Sequence, residues 1–236
     1  MTAIIIINCD LGEGMGNDLL IIPHIHSANI ACGYHAGDAE TMRQTIEACI
    51  KHDVLIGAHL SYYDRENFGR TEMQLPSDEI YELITQQLII FSEVLNMFEA
   101  SLHHVKPHGA LYNQSAKDPL IAKAIASAVK DFDPDLILYG LSESHSIDEA
   151  KKIGLRTASE AFADRTYQDD GTLTPRTQPG ALIEEVDKVV SQVSEMINEG
   201  VVTTISGKKI PIIAETICVH GDGKKAVEFV RSIGKL

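Results

Sequence analysis

Short runs of Ile, Val, Leu and Ala recur along the chain, separated by longer stretches in which apolar residues return every three or four positions. The runs are too short for helices and rich in β-branched residues. They predict strands at 4–9, 28–32, 54–58, 102–105, 136–140, 155–158 and 212–219. The intervening stretches predict helices at 38–51, 77–98, from Asp118-Pro119 onward, and at 143–152, 179–197 and 222–233. Asp38 reads as a helix cap, with Met42, Ile46 and Cys49 on one face; Ser77 reads as a second cap, and Pro119 suits a first helical position. Crossovers of this length allow parallel pairing. The expected fold is α/β, a distorted (β/α) barrel of seven or eight strands forming one domain over 1–236, with a doubly wound open sheet as the alternative. Val-Val-Thr-Thr-Ile, Ser-Gly-Lys-Lys and Ile at 201–210 predict a small hairpin decoration.

The polar residues that end the apolar runs carry the chemistry. Asn8, Asp10 and Glu13 follow the first run, His35 and Asp38 the second, and His59 the third. Lys106, His108 and Tyr112 follow the fourth, Glu160, Asp164 and Arg165 the sixth, and His220 and Asp222 the last. In a parallel α/β fold these ends share one face, where ligands bind. Four histidines at four different strand ends imply a common active site. Asp10 is expected at an open mouth, where its charge matters more to turnover than to stability. His24, His26, His52 and His145 follow no such pattern, and His103-His104 lies inside a run; these read as surface or packing residues.

Charge and composition narrow the function. The formal net charge of −14 disfavours nucleic acid and anionic membrane surfaces. None of Cys9, Cys32, Cys49 and Cys218 forms a C-x-x-C pair, so they read as buried thiols in a reducing compartment. The first apolar run lacks a basic flank and ends at Asn8 and Asp10, so a cytoplasmic location is expected. The sequence has no Walker phosphate loop, no G-x-G-x-x-G and no G-x-S-x-G elbow.

Eight motifs in order resemble the LamB/YcsF family. They are Asn-Cys-Asp-Leu-Gly-Glu (8–13), Ser-Ala-Asn-Ile-Ala-Cys-Gly-Tyr-His-Ala-Gly-Asp (27–38), Ile-Gly-Ala-His (56–59) and Phe-Gly-Arg (68–70). The others are Val-Lys-Pro-His-Gly-Ala-Leu-Tyr-Asn (105–113), Phe-Ala-Asp-Arg-Thr-Tyr (162–167), Pro-Gly-Ala-Leu-Ile (179–183) and Thr-Ile-Cys-Val-His-Gly-Asp (216–222). The resemblance implies a distorted seven-stranded (β/α) barrel similar to the polysaccharide deacetylase type. It also implies the A-subunit of an ATP-dependent 5-oxoprolinase, opening 5-oxoproline to L-glutamate with partner subunits B and C. ATP would then be a co-substrate handled through the partners. Many family members carry a longer segment with a Trp where this chain has the short 14–26 stretch and no Trp.

For such a reaction the candidate catalytic residues are Asp10, Glu13, His35, His59, Lys106, His108 and His220. Asp10 is the first choice of general base. Candidate substrate-binding residues are Asn8, Asn29, Arg70, Tyr112, Glu160, Arg165 and Asp222, with Lys106 and Arg165 suited to a carboxylate or developing negative charge. The competing reading is a metal-dependent deacetylase or amidohydrolase on a small polar or carbohydrate substrate. Asp10, His35 and His59 would then hold a divalent ion. His104 and His108 have H-x-x-x-H spacing, but Pro107 between them argues against a shared focus. A non-enzymatic carbohydrate- or carboxylate-binding regulator is the third reading, disfavoured by the density of acid–base residues.

Overall fold

A computed structural model describes residues 5–236. Seven strands close a barrel: β1 (Ile7–Leu11), β2 (Ser27–Ala31), β3 (Leu55–Leu60), β4 (His104–Pro107), β5 (Ile137–Leu141), β6 (Arg156–Phe162) and β9 (Thr216–His220). Every pairing is parallel, and β9 closes the ring between β6 and β1. The expected barrel is therefore the form found; the open sheet is excluded by the β1–β9 and β6–β9 ladders. Between β6 and β9, β7 (Val201–Thr203) and β8 (Lys209–Pro211) pair antiparallel as a separate two-stranded sheet.

Most strands sit one to four residues further along the chain than their apolar runs. Ile4 of the first predicted strand lies outside the described residues. Inward-facing polar residues account for several of the later strand ends. Along β1, Cys9 and Leu11 point outward to the helices while Asn8 and Asp10 meet partners on other strands across the barrel interior. The same alternation carries His59, Lys106, Glu160 and His220 inside their strands rather than after them. An apolar-run criterion stops at these polar residues, whereas the ladder continues through them.

Among the described residues eight helices surround the strands: α1 (Asp18–Ile21), α2 (Ala39–Lys51), α3 (Ser77–Asn96), α4 (Gly109–Lys117), α5 (Pro119–Phe132), α6 (His145–Lys152), α7 (Val186–Glu199) and α8 (Ala226–Ile233). Asp38 caps α2 by accepting from Thr41 N, and Asp118 caps α5 by accepting from Leu120 N and Ile121 N. Ser77 does not cap α3: it is the first helical residue, preceded by Pro76 at the cap. The stretch predicted helical from 179 begins its helix only at Val186. Its first residues instead brace the loop after β6, where Leu182 bridges Arg165. The helices bury apolar faces, with Ile80, Ile84, Leu88 and Phe91 of α3 among the innermost. No helix among the described residues is long and apolar enough to cross a membrane.

Candidate active site

The barrel interior is polar and layered. At the bottom, Asn8 Nδ2 donates to Thr216 Oγ1 at 2.8 Å, and Asn29 Nδ2 reaches Asn8 Oδ1 at 2.7 Å. His104 Nε2 meets Asn29 Oδ1 at 2.8 Å, and its ring stacks on Tyr139 with centroids 4.1 Å apart. Gly57 makes this possible: a Cβ there would overlap the His104 ring. Asn8 and Asn29, expected on the substrate, are fully buried in this floor. Burying so many polar groups is tolerable because each finds a partner. His104, as read from the sequence, is structural.

Above the floor sits a buried charge cluster. Lys106 Nζ lies 2.8 Å from Asp10 Oδ1, 2.8 Å from Glu160 Oε1 and 3.1 Å from Cys218 Sγ. Asn29 Nδ2 also donates to Asp10 Oδ1 at 2.8 Å, and His59 Nε2 lies 3.4 Å from Asp10 Oδ2. Burial alone would push the Lys106 ammonium down, but Asp10, Cys218 and Glu160 outweigh it and hold it well above the usual lysine range. Burial alone would raise Asp10, yet His59 and Lys106 hold its carboxyl well below the usual range. The pair is therefore ionised at neutral pH. Asp10 is 4% exposed rather than at an open mouth, so a change there reaches the fold as well as the chemistry. The neighbouring Tyr112 hydroxyl is buried without an aligned partner.

Three histidines and a glutamate meet beside this cluster. His35 and His108 stack with centroids 3.8 Å apart, and His59 meets both edge-on. His108 Nδ1 lies 2.8 Å from His59 Nε2, and Glu13 Oε1 is 3.2 Å from His35 Nε2 and 3.7 Å from His108 Nδ1. Burial pushes both His35 and His108 well below the usual histidine range, aided by the other histidines. Burial, then Asp10 and Asp222, push Glu13 well up. One ligand atom from each of Glu13, His35, His59 and His108 lies within 4.8 Å of all the others, a group that could hold a metal ion. The group shares His35 and His59 with the expected set and adds Glu13 and His108, while Asp10 lies beside it with Oδ1 on Lys106 and Asn29 and Oδ2 3.4 Å from His59 Nε2.

The loop after β3 supports the histidines. Phe68 adopts a left-handed φ of 57°, which aims its carbonyl at His108 Nε2, 2.9 Å away. Gly69 follows at φ 66°, and a Cβ there would fall 2.9 Å from both His108 Cδ2 and His35 Cβ. Gly69→Ala should therefore cost about 1–3 kcal/mol through strain and overpacking. A urea midpoint equal to wild type would show that the loop is not braced as described.

His220 stands on another side of the mouth. Asp164 accepts from its Nδ1 at 2.9 Å and from its backbone N at 3.2 Å. Burial would raise the Asp164 carboxyl, but His220 holds it below the usual range. This contribution to stability is fully present above the unfolded aspartate value, about pH 4, and is lost as the pH falls through the lower folded value. Between about pH 4 and pH 2, urea midpoints should drop more steeply for wild type than for Asp164→Asn. Parallel curves would contradict the pairing.

A cavity of about 400 Å³ opens over these groups, lined by Asp10, His59, Lys106, His108, Tyr112 and His220 together with Arg70, Arg165 and Arg176. The three arginines do different work. Arg70 pairs with Asp222 at 3.0 Å across the rim, so both expected substrate contacts engage each other. Arg165 donates to the carbonyls of Ala181 and Thr174, bracing its own loop. Burial and Arg176 pull its guanidinium down to about 10, still charged at neutral pH. Arg176, which the sequence reading did not select, lines the cavity from far along the loop after β6, 14 residues beyond Phe162. Cys218 was also missed, because a thiol in an apolar run reads as filler; all four cysteines are buried and free.

The chain is 49% identical to the 5-oxoprolinase A-subunit of Bordetella pertussis over 238 residues, covering 99% of this chain and 94% of that protein. It is 47% identical to the 5-oxoprolinase A-subunit of Bacillus cereus over 233 residues, covering 96% and 92%. The crystal structure of the "Lactam Utilization Protein" from Thermus thermophilus superposes with a TM-score of 0.91 at 37% identity, covering 99% of this chain and 95% of that one. A family 4 carbohydrate esterase from Streptomyces lividans matches with a TM-score of 0.50 at 11% identity, covering 100% of this chain and 88% of that one, a likeness of fold alone. The LamB/YcsF sequence profile matches residues 5–236, nearly the full length over which the barrel and its mouth are built, and the chain belongs to the LamB/YcsF family.

Proposed function

We propose that this chain is the subunit of an ATP-dependent 5-oxoprolinase in whose barrel mouth the lactam of 5-oxoproline is opened to L-glutamate. The observation that carries the reading is the cavity itself. It faces a buried ammonium, a His–Asp pair and a cavity-lining arginine toward a space suited to a small carboxylated ring. The relatives named for this activity support it.

The lactam is an unstrained amide, so hydrolysis needs an activated water, a stabilised oxyanion and a protonated leaving nitrogen. Lys106, with Tyr112 beside it, supplies positive charge and a donor for the carbonyl oxygen. Arg176 suits the ring carboxylate. Asp164 fixes His220 with Nδ1–H toward itself, which leaves Nε2 to take a proton from water and return it to the ring nitrogen. The water hydroxyl joins the carbonyl carbon, the C–N bond breaks, and the products are a side-chain carboxylate and a free amine. The general-base role thus passes from Asp10, whose carboxylate is committed to Lys106 and Asn29, to His220. A divalent ion at the histidine cluster would polarise the carbonyl or the attacking water.

The five-membered ring tends to re-close, so coupling to ATP is chemically apt. With no phosphate-cradling loop in this sequence, the nucleotide is assigned to partner subunits B and C, and the complex to the cytoplasm where ATP is found. A metal-dependent deacetylase is the reading that the fold likeness alone would allow. Two assays separate them. With partners and ATP, the first reading predicts glutamate from 5-oxoproline and no acetate from N-acetylated sugars. Acetate release by the isolated chain without ATP would favour the second.

A further inference from the structure

We infer that Glu13, His35, His59 and His108 form a binding site for one divalent transition-metal ion of the zinc type. The inference stands on where the protons are and goes beyond the ring-opening reading, on which it does not depend. Each histidine has one ring nitrogen committed as a donor. Ser61 Oγ gives its only proton to the Tyr62 carbonyl at 2.8 Å, so it accepts from His35 Nδ1 at 3.0 Å. His59 Nδ1 donates to the Lys106 carbonyl at 3.0 Å, and His108 Nε2 donates to the Phe68 carbonyl at 2.9 Å. The nitrogens left over, His35 Nε2, His59 Nε2 and His108 Nδ1, all turn inward, toward one another and Glu13.

These nitrogens face one another or the carboxyl of Glu13. His59 Nε2 and His108 Nδ1 stand 2.8 Å apart, and His35 Nε2 stands 3.2 Å from the Glu13 carboxylate. Two extra protons, or one dication, would reconcile these contacts. One proton on the Glu13 carboxyl and one between His59 and His108 would serve these contacts pairwise, while the close stack of His35 on His108 at 3.8 Å keeps all four groups turned to one point. A dication satisfies all four groups together. The arrangement of one ring nitrogen on a backbone carbonyl or hydroxyl and the other aimed at a common point is how metal-bound histidines are oriented.

The dimensions agree. Ligands about 2.0–2.1 Å from a tetrahedral centre stand about 3.3 Å from each other. Three of the six separations within the group are 2.8, 3.2 and 3.7 Å, and all six lie within 4.8 Å. Three imidazoles and one carboxylate select zinc, cobalt or a similar ion over magnesium or calcium, which prefer all-oxygen sites. His220, though in the same mouth, is committed to Asp164 and lies outside the set.

The test uses the full chain stripped by a chelator and titrated with Zn²⁺, Co²⁺ or Mg²⁺. Zn²⁺ should bind at one equivalent per chain, and Co²⁺ should give intense visible d–d bands that saturate at the same point. At a hundredfold excess over Kd, Zn²⁺ should raise Tm by about 5–10 °C, while Mg²⁺ at the same concentration leaves it unchanged. His108→Gln and Glu13→Gln, checked for folding by circular dichroism, should weaken Zn²⁺ binding by at least the roughly 10–100-fold that lost supporting contacts cost. His220→Asn should bind like wild type. Folded wild-type protein that shows neither a Tm shift nor Co²⁺ bands would overturn the inference. So would unchanged affinity in Glu13→Gln and His108→Gln, or a loss in His220→Asn equal to theirs.

Discussion

Lys106→Met is expected to abolish turnover and to destabilise the protein by about 3–5 kcal/mol, the usual cost of breaking a buried ion pair from one side. Lys106 is 2% exposed and is the cation shared by Asp10 and Glu160. Without it two carboxylates remain together in the barrel, and one must take a proton. That carboxylate then has a folded pKa above its unfolded value. Its contribution is favourable below the unfolded value and is lost as the pH rises through the folded one. The deficit of Lys106→Met against wild type should therefore shrink on acidification from about pH 8 to pH 5. Adding Glu160→Gln should restore part of the stability and none of the turnover. Urea unfolding across that pH range, with turnover measured alongside, checks all three. A variant as stable as wild type at alkaline pH would show that the cluster is not the charged structure described.

His220→Asn should lower turnover by about 10²–10⁴-fold with little change in stability, because the ring is the proton carrier and sits at the cavity rather than in the core. Asp164→Asn should lose a comparable factor by releasing the tautomer. The double variant should be no slower than the worse single one, since residues that act as a unit are non-additive. Multiplying losses would instead mean that His220 and Asp164 act separately. These measurements need the assembled complex, so assembly should be confirmed by size-exclusion chromatography for each variant.

The barrel and most of its mouth were legible because the sequence writes both in one code. Ile, Val and Leu runs mark strands buried on both faces, and the glycines and histidines at their ends mark the mouth. Strand boundaries were less legible, since Asp10, His59 and Lys106 are strand residues whose polar side chains fill the interior; a polar residue signals the end of a run unless the barrel's inside is known to be polar. Roles were less legible still. Asn8 and Asn29 read as ligand contacts but build the floor, because only the register of β1 beside β2 and β9 shows which polar groups lie beneath Asp10. Arg176 escaped notice because it sits deep in the long loop after β6, well past the strand end where the chemistry was sought. The partner of His220 could not be assigned from spacing, since 56 residues separate it from Asp164 and the two meet only where β6 lies beside β9.

The central claim is that ring opening takes place in this barrel mouth. Its most direct test is 5-oxoproline-dependent glutamate formation by subunits B and C with ATP, in three arms: without this chain, with wild type, and with His220→Asn in a complex shown to be intact. The account predicts glutamate only in the wild-type arm, with the His220→Asn arm at least about a hundredfold slower. Glutamate formed at the wild-type rate without this chain, or with His220→Asn, would contradict it.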